Sequence, residues 1–153
     1  MNDEAAVPVT QQSVPLSRIH LRFGWLGLLV FAVLGIALEG LHAWKSSAYL
    51  GVGQETRRLM WTLAHAHGIG LSLVHLGFAA TLGISSEAAR GRLQLASQAL
   101  RWSSVLIPLG FFAGGVVTYE GDPGVGVFLV PLGAVALLVA LVCAVWVVWS
   151  DSL

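Results

Sequence analysis

The chain has 153 residues, of which 56% are hydrophobic and only 10% charged, with eight basic and eight acidic side chains. A soluble domain usually carries about a quarter charged residues, so with a mean hydropathy of +0.80 lipid must cover part of this surface. The zero net charge excludes the basic patch expected of nucleic-acid binding, and the single cysteine, Cys143, excludes an internal disulfide or a cysteine-based zinc site.

Residues 1–17, MNDEAAVPVTQQSVPLS, are polar with two prolines and read as a flexible tail. The acidic start, and a following apolar segment that is too long, argue against a cleaved signal peptide. Residues 18–153 read as one domain with four spans, at 21–44, 60–84, 100–119 and 126–149. A spanning helix needs about 20 mainly apolar residues, and backbone groups in hydrocarbon must be paired internally. The expected fold is therefore all-α, an integral membrane antiparallel four-helix bundle. Pro108 and Pro131 fall inside the third and fourth spans and are expected to bend them. Residues 85–97, SSEAARGRLQLAS, read as a short surface helix, and 120–126, EGDPGVG, as a tight turn around Asp122-Pro123-Gly124.

If the helices alternate, Trp25, Trp102, Trp146 and Trp149 share one membrane interface, and Trp44, Trp61, Tyr49 and Tyr119 share the other. The first level carries Arg18, Arg22, Arg90, Arg92 and Arg101; the second carries Lys45, Arg57 and Arg58. This bias predicts cytoplasmic termini in a bacterial inner membrane, with the chain crossing it several times. Arg57 and Arg58 read as headgroup anchors, and His20 as a solvated interface residue.

The other polar residues collect toward the second level. In the first helix Leu28, Ala32, Gly35, Glu39 and His42 form one stripe. In the second helix Trp61, Ala64, His65, Gly68, Ser72, His75 and Ala79 form another. Both are rich in the small residues through which membrane helices pack. The stripes aim Glu39, His42, His65 and His75 into the bundle. His67 stands roughly 160° from His65 around the helix and faces elsewhere, so the two cannot chelate one ion together. GFFAG, at 110–114, is a further close-packing stripe.

A carboxylate in a membrane helix is rare and usually functional. Glu39, His42 and His65 are the candidate metal ligands, a set that suits iron, copper or zinc. His67 and His75 are candidate haem-binding residues, with Gly68, Gly70 and Ser72 leaving room for a flat macrocycle. Tyr119, Glu120 and Asp122 complete the polar end, where the two carboxylates offer a cation entry site.

LAHAHGIGLSLVH resembles the histidine-bearing helix of small bacterial four-helix membrane proteins with an HxH-then-glycine pattern. More loosely, it resembles the haem-ligating helices of haem-copper oxidase-like membrane proteins. The resemblance covers one helix and implies haem or copper, with His65, His67 or His75 as ligands. The chain is too short for an oxidase catalytic subunit and lacks the adjacent histidine pair of a binuclear copper centre.

The leading expectation is a small inner-membrane protein that binds haem or a transition metal through a Glu/His cluster near the outer face. Two alternatives belong to other classes. One is a non-catalytic accessory subunit of a larger membrane complex. The other is a proton or ion pathway in a homo-oligomer, with Glu39 and the histidines relaying protons. No Ser/His/Asp arrangement and no phosphate loop points to a soluble hydrolase.

Overall fold

The structure, a computed structural model, describes residues 10–86 and 89–150, with side chains from Leu16 onward. Helix α1 runs over Thr10–Ala43, a one-turn α2 over Ser47–Leu50, α3 over Glu55–Ile84, α4 over Arg90–Val116 and α5 over Leu129–Ser150. Four helical stretches, Leu16–Ala43, Glu55–Ile84, Arg90–Val116 and Val125–Ser150, are long and apolar enough to cross a membrane. They contain or closely match the four expected spans.

The boundaries differ from expectation at both ends of the domain. The tail expected over 1–17 lies partly outside the described residues, and from Thr10 the chain is already helical. No separate surface helix precedes the third span: from Arg90 the chain runs without a break into α4. That stretch is amphipathic, and Leu93, Ala96, Ser97 and Leu100 are buried in it. Its apolar face therefore joins the core rather than a membrane surface. Pro108 lies inside α4, where it supplies no N–H to the Ser104 carbonyl one turn back. Pro131 falls in the first turn of α5, where a proline is tolerated without a bend.

Packing partners establish the antiparallel order. Between α1 and α3, Ser17 bonds Ala79, Gly24 faces Leu76 and Ser72, and Gly35 faces His65. Between α3 and α4, Trp61 bonds Phe112 and His75 bonds Ser104. Between α4 and α5, Gly110 faces Val130 and Gly133 faces Ile107. The main helix contacts follow chain order, α1 on α3, α3 on α4 and α4 on α5. The arrangement is thus a helical bundle in which neighbouring helices follow chain order. The most apolar windows of α1 and α5 are each only 11% buried, so their outer faces are left to lipid or to another helix. The apolar core lies among α3, α4 and α5, around Leu71, Phe78, Leu100, Ile107 and Val147.

The connection between α4 and α5 is a two-residue hairpin pairing Thr118 with Pro123 and Tyr119 with Asp122. Its turn sits at Glu120 and Gly121, which both take positive φ, 50° and 97°. This is the primed turn that matches strand twist. The turn therefore comes earlier than Asp122-Pro123-Gly124.

Arg57, expected as a headgroup anchor, is engaged by the protein itself. Its guanidinium donates to the carbonyls of Gly115 (3.0 Å), Val116 (3.2 Å) and Ala48 (2.9 Å). It thereby caps the free carbonyl end of α4 and ties down α2. Trp61 stacks between Tyr49 and Phe112 beside it, with Tyr49 buried and Trp61 half-buried. Arg57→Ala is expected to lower stability by about 1.5 kcal/mol, the value of one charge-assisted bond. This should appear as an earlier thermal unfolding transition in detergent. Arg57→Lys should recover only part, because an ammonium lacks the forked donors.

Candidate functional site

The most buried polar cluster joins three helices at the arginine-rich end. His20 of α1 and His75 of α3 are 0% and 1% exposed. Their Nδ1 atoms lie 2.6 Å apart. His20 Nε2 lies 2.9 Å from Ser97 Oγ, and His75 Nε2 lies 2.7 Å from Ser104 Oγ, both on α4. Phe78 meets the His20 ring edge-on and Phe23 stacks on His75. Small residues allow this approach: Gly24 and Gly27 of α1 sit directly against Ser72 and Leu76 of α3.

The hydroxyl groups give the hydrogen-bond chain a direction. Ser104 Oγ donates its only hydrogen to the Leu100 carbonyl at 2.6 Å. It must therefore accept from His75 Nε2–H. A neutral His75 then has a bare Nδ1, which accepts from His20 Nδ1–H. His20 Nε2 is bare in turn and accepts from Ser97 Oγ–H. Four side chains thus form one continuous donor-to-acceptor series from Ser97 to Leu100 O, with Ser97, His20 and His75 buried and Ser104 half-buried.

This placement overturns the reading of His20 as a solvated interface residue. His75 does point into the bundle, as expected, but both of its ring nitrogens are engaged.

Beside His75 and Ser104 lies a cavity of about 300 Å³. Gly27, Phe31, Gly68 and Ser72 form part of its wall, and it opens sideways past Phe23, Leu26 and Val30, which are 38%, 62% and 51% exposed. Arg22 stands on its rim.

A second cleft, of about 580 Å³, lies farther along the same α1/α3 groove and toward the hairpin end. Glu39, His42 and His65 all line it, together with Tyr49 and Thr62. Glu39 and His42 are exposed on the flank of α1. The stripe of α1 that actually packs on α3 runs through His20, Gly24, Gly27, Phe31, Gly35 and Leu38, rotated by about one residue from the expected one. Among the described residues no three His, Cys, Asp or Glu side chains come together as a metal-holding group. The metal site expected from Glu39, His42 and His65 therefore finds no support. His65 Nδ1–H donates to the Phe31 carbonyl at 2.7 Å, leaving Nε2 as its free acceptor.

His67 is exposed, donates Nδ1–H to Leu63 O at 2.8 Å and lies against Phe111 of α4, so it faces away from His65 as expected. Of the small residues expected to leave room for a macrocycle, Gly68 is covered by Phe31. A Cβ at Gly68 would overlap the Phe31 ring, and Gly70 faces open space. Tyr119, Glu120 and Asp122 are exposed on the hairpin and do not join the cleft.

Comparison with protein families, with curated proteins and with solved structures finds no match to this chain.

Proposed function

We propose that this chain is a small multi-pass membrane protein that moves protons along its α1/α3 groove. The arginine-rich end would lie in the cytoplasm, by the charge bias of the flanks. The observation that carries the reading is the hydrogen-bonded series Ser97, His20, His75, Ser104. Ionisable side chains within membrane helices are rare and usually mark ion or proton routes, and imidazole both takes and gives a proton near neutral pH. In one transfer Ser97 gives its hydrogen to His20 Nε2 and regains one from the arginine-rich side. His20 Nδ1–H passes to His75 Nδ1, and His75 Nε2–H passes to Ser104 Oγ. Ser104 turns from Leu100 O and releases its hydrogen into the cavity. One proton enters, one leaves, and each imidazole exchanges tautomer. Beyond the cavity, His65, Glu39 and His42 continue the groove as acceptors toward the other end.

The test is proton flux into vesicles of membrane lipid extract, driven by a potassium diffusion potential and read by an internal pH dye. Protein-containing vesicles are expected to acidify faster than empty ones. His20→Gln and His75→Gln, each shown to fold by its elution profile and helical circular dichroism, are expected to return the rate to the empty-vesicle value. Flux equal to that of empty vesicles, or unchanged in both variants, would overturn the reading.

A further inference from the structure

The proton series stops at the cavity beside Ser104. That cavity is lined by Phe23, Leu26, Gly27, Val30, Phe31 and Gly68, and its polar residues are Arg22, Ser72, His75 and Ser104; Ser72 already donates its hydroxyl to the Gly68 carbonyl at 2.7 Å. His65 lies beyond Phe31, bonded to its carbonyl. Past His75 and Ser104, no further carboxyl or imidazole among the described residues lines the cavity on the way to His65. Resting on the proton-transfer reading above, we infer that the cavity binds a long-chain carboxylic acid that enters sideways from the bilayer and brings such a group.

Three features select that chemistry. The cavity opens toward lipid between exposed apolar side chains and runs inward along apolar walls, which suits an acyl chain. Its volume of about 300 Å³ is at the small end of ligand sites, which favours a single chain over a two-chain phospholipid. Polar groups stand at one end. Arg22 lies on the rim, and among the described residues it has no ion-pair partner. Ser104 and His75 lie on the same cavity wall. A carboxylate bound there gains the guanidinium as a charge-assisted donor. It also accepts the hydrogen Ser104 releases, and gives that proton up again on the side of the cavity away from Ser104, which restores the carboxylate held by Arg22. A phosphodiester headgroup would satisfy Arg22 but would not take up a proton at neutral pH.

The experiment is equilibrium displacement, with the full chain in a mild, nonionic detergent and no pH gradient. A fluorescent polyene fatty acid is the probe, and unlabelled palmitate, methyl palmitate and a phosphatidylglycerol are the competitors. Saturable binding at one probe per chain is expected, displaced by palmitate and not by the ester or the phospholipid. Arg22→Gln is expected to weaken binding about tenfold, the loss of one charge-assisted bond. Val30→Trp, at the exposed rim, is expected to block the mouth without disturbing the core. Displacement by the ester as readily as by the acid would show adventitious detergent-like binding and overturn the inference, as would affinity unchanged in both variants. Displacement by phosphatidylglycerol alone would assign the site to a bilayer headgroup, with the same result. Because binding is read without a gradient, a protein that conducts protons but does not bind the acid sinks this inference alone. One that binds the acid but does not conduct sinks the proton reading alone.

Discussion

His20→Leu and His75→Leu are each expected to lower stability by about 2 kcal/mol, and the double variant by less than their sum. Each substitution removes two interhelical hydrogen bonds and leaves partners buried without them. Interhelical side-chain bonds in membranes average about 0.6 kcal/mol and reach about 1.7. Two lost bonds, with a polar partner left in a dry site, therefore come to about 2 kcal/mol. The single variants share one bond, and the second substitution removes a partner the first has already stranded. A coupling of about 1 kcal/mol follows, within the range measured for groups in contact. Reversible unfolding of the four proteins of the cycle, in mixed micelles, measures it. Strict additivity would show that the two rings do not interact. His75→Gln should cost less than His75→Leu, since an amide keeps one donor for Ser104.

Gly126→Val is expected to cost about 3 kcal/mol, the upper end for overpacking a tight contact. A Cβ at Gly126 would come within 2.8 Å of the Ala113 carbonyl carbon and the Gly114 nitrogen. These are backbone atoms of α4 and cannot rotate away as a side-chain tip would. The turn at Val125–Phe128 that leads into α5 would have to lift off α4, and the bond from Gly124 N–H to Gly114 O at 2.8 Å would be disturbed with it. Gly70→Ala is the control. A Cβ there meets nothing within 4 Å, and the exchange removes glycine's helix penalty of about 1 kcal/mol. Thermal unfolding of both variants should separate them in opposite directions. Equal effects would mean that the segment before α5 does not press on α4 at Gly126.

The amino-acid sequence by itself determined the four long helices and their alternation. These depend on the length of apolar runs and on the need of every backbone group for a partner, which are local properties. It also determined the packing stripe of α3. Ala64, Gly68, Ser72, His75 and Ala79 are buried in α3 as their spacing foretells, because a helix repeats every three to four residues whatever it packs against. The face of α1 was a different matter. Two small-residue stripes run along that helix about one residue apart, one through Gly35, Glu39 and His42 and one through His20, Gly24 and Gly27. Periodicity alone does not choose between them. Gly24 and Gly27 were the legible hint that His20 turns inward.

Only the tertiary structure decided the rest. The choice of stripe falls to the partner helix, where Ser72 and Leu76 of α3 fit against Gly24 and Gly27 and Phe31 seats on Gly68. That fit rotates Glu39 and His42 out to the flank and brings His20 onto His75 across 55 residues of sequence. Hydrogen bonds between side chains so far apart depend on the relative rotation of two helices to within a fraction of a turn. No local pattern encodes that rotation, so the buried histidine pair became visible only when the helices were packed.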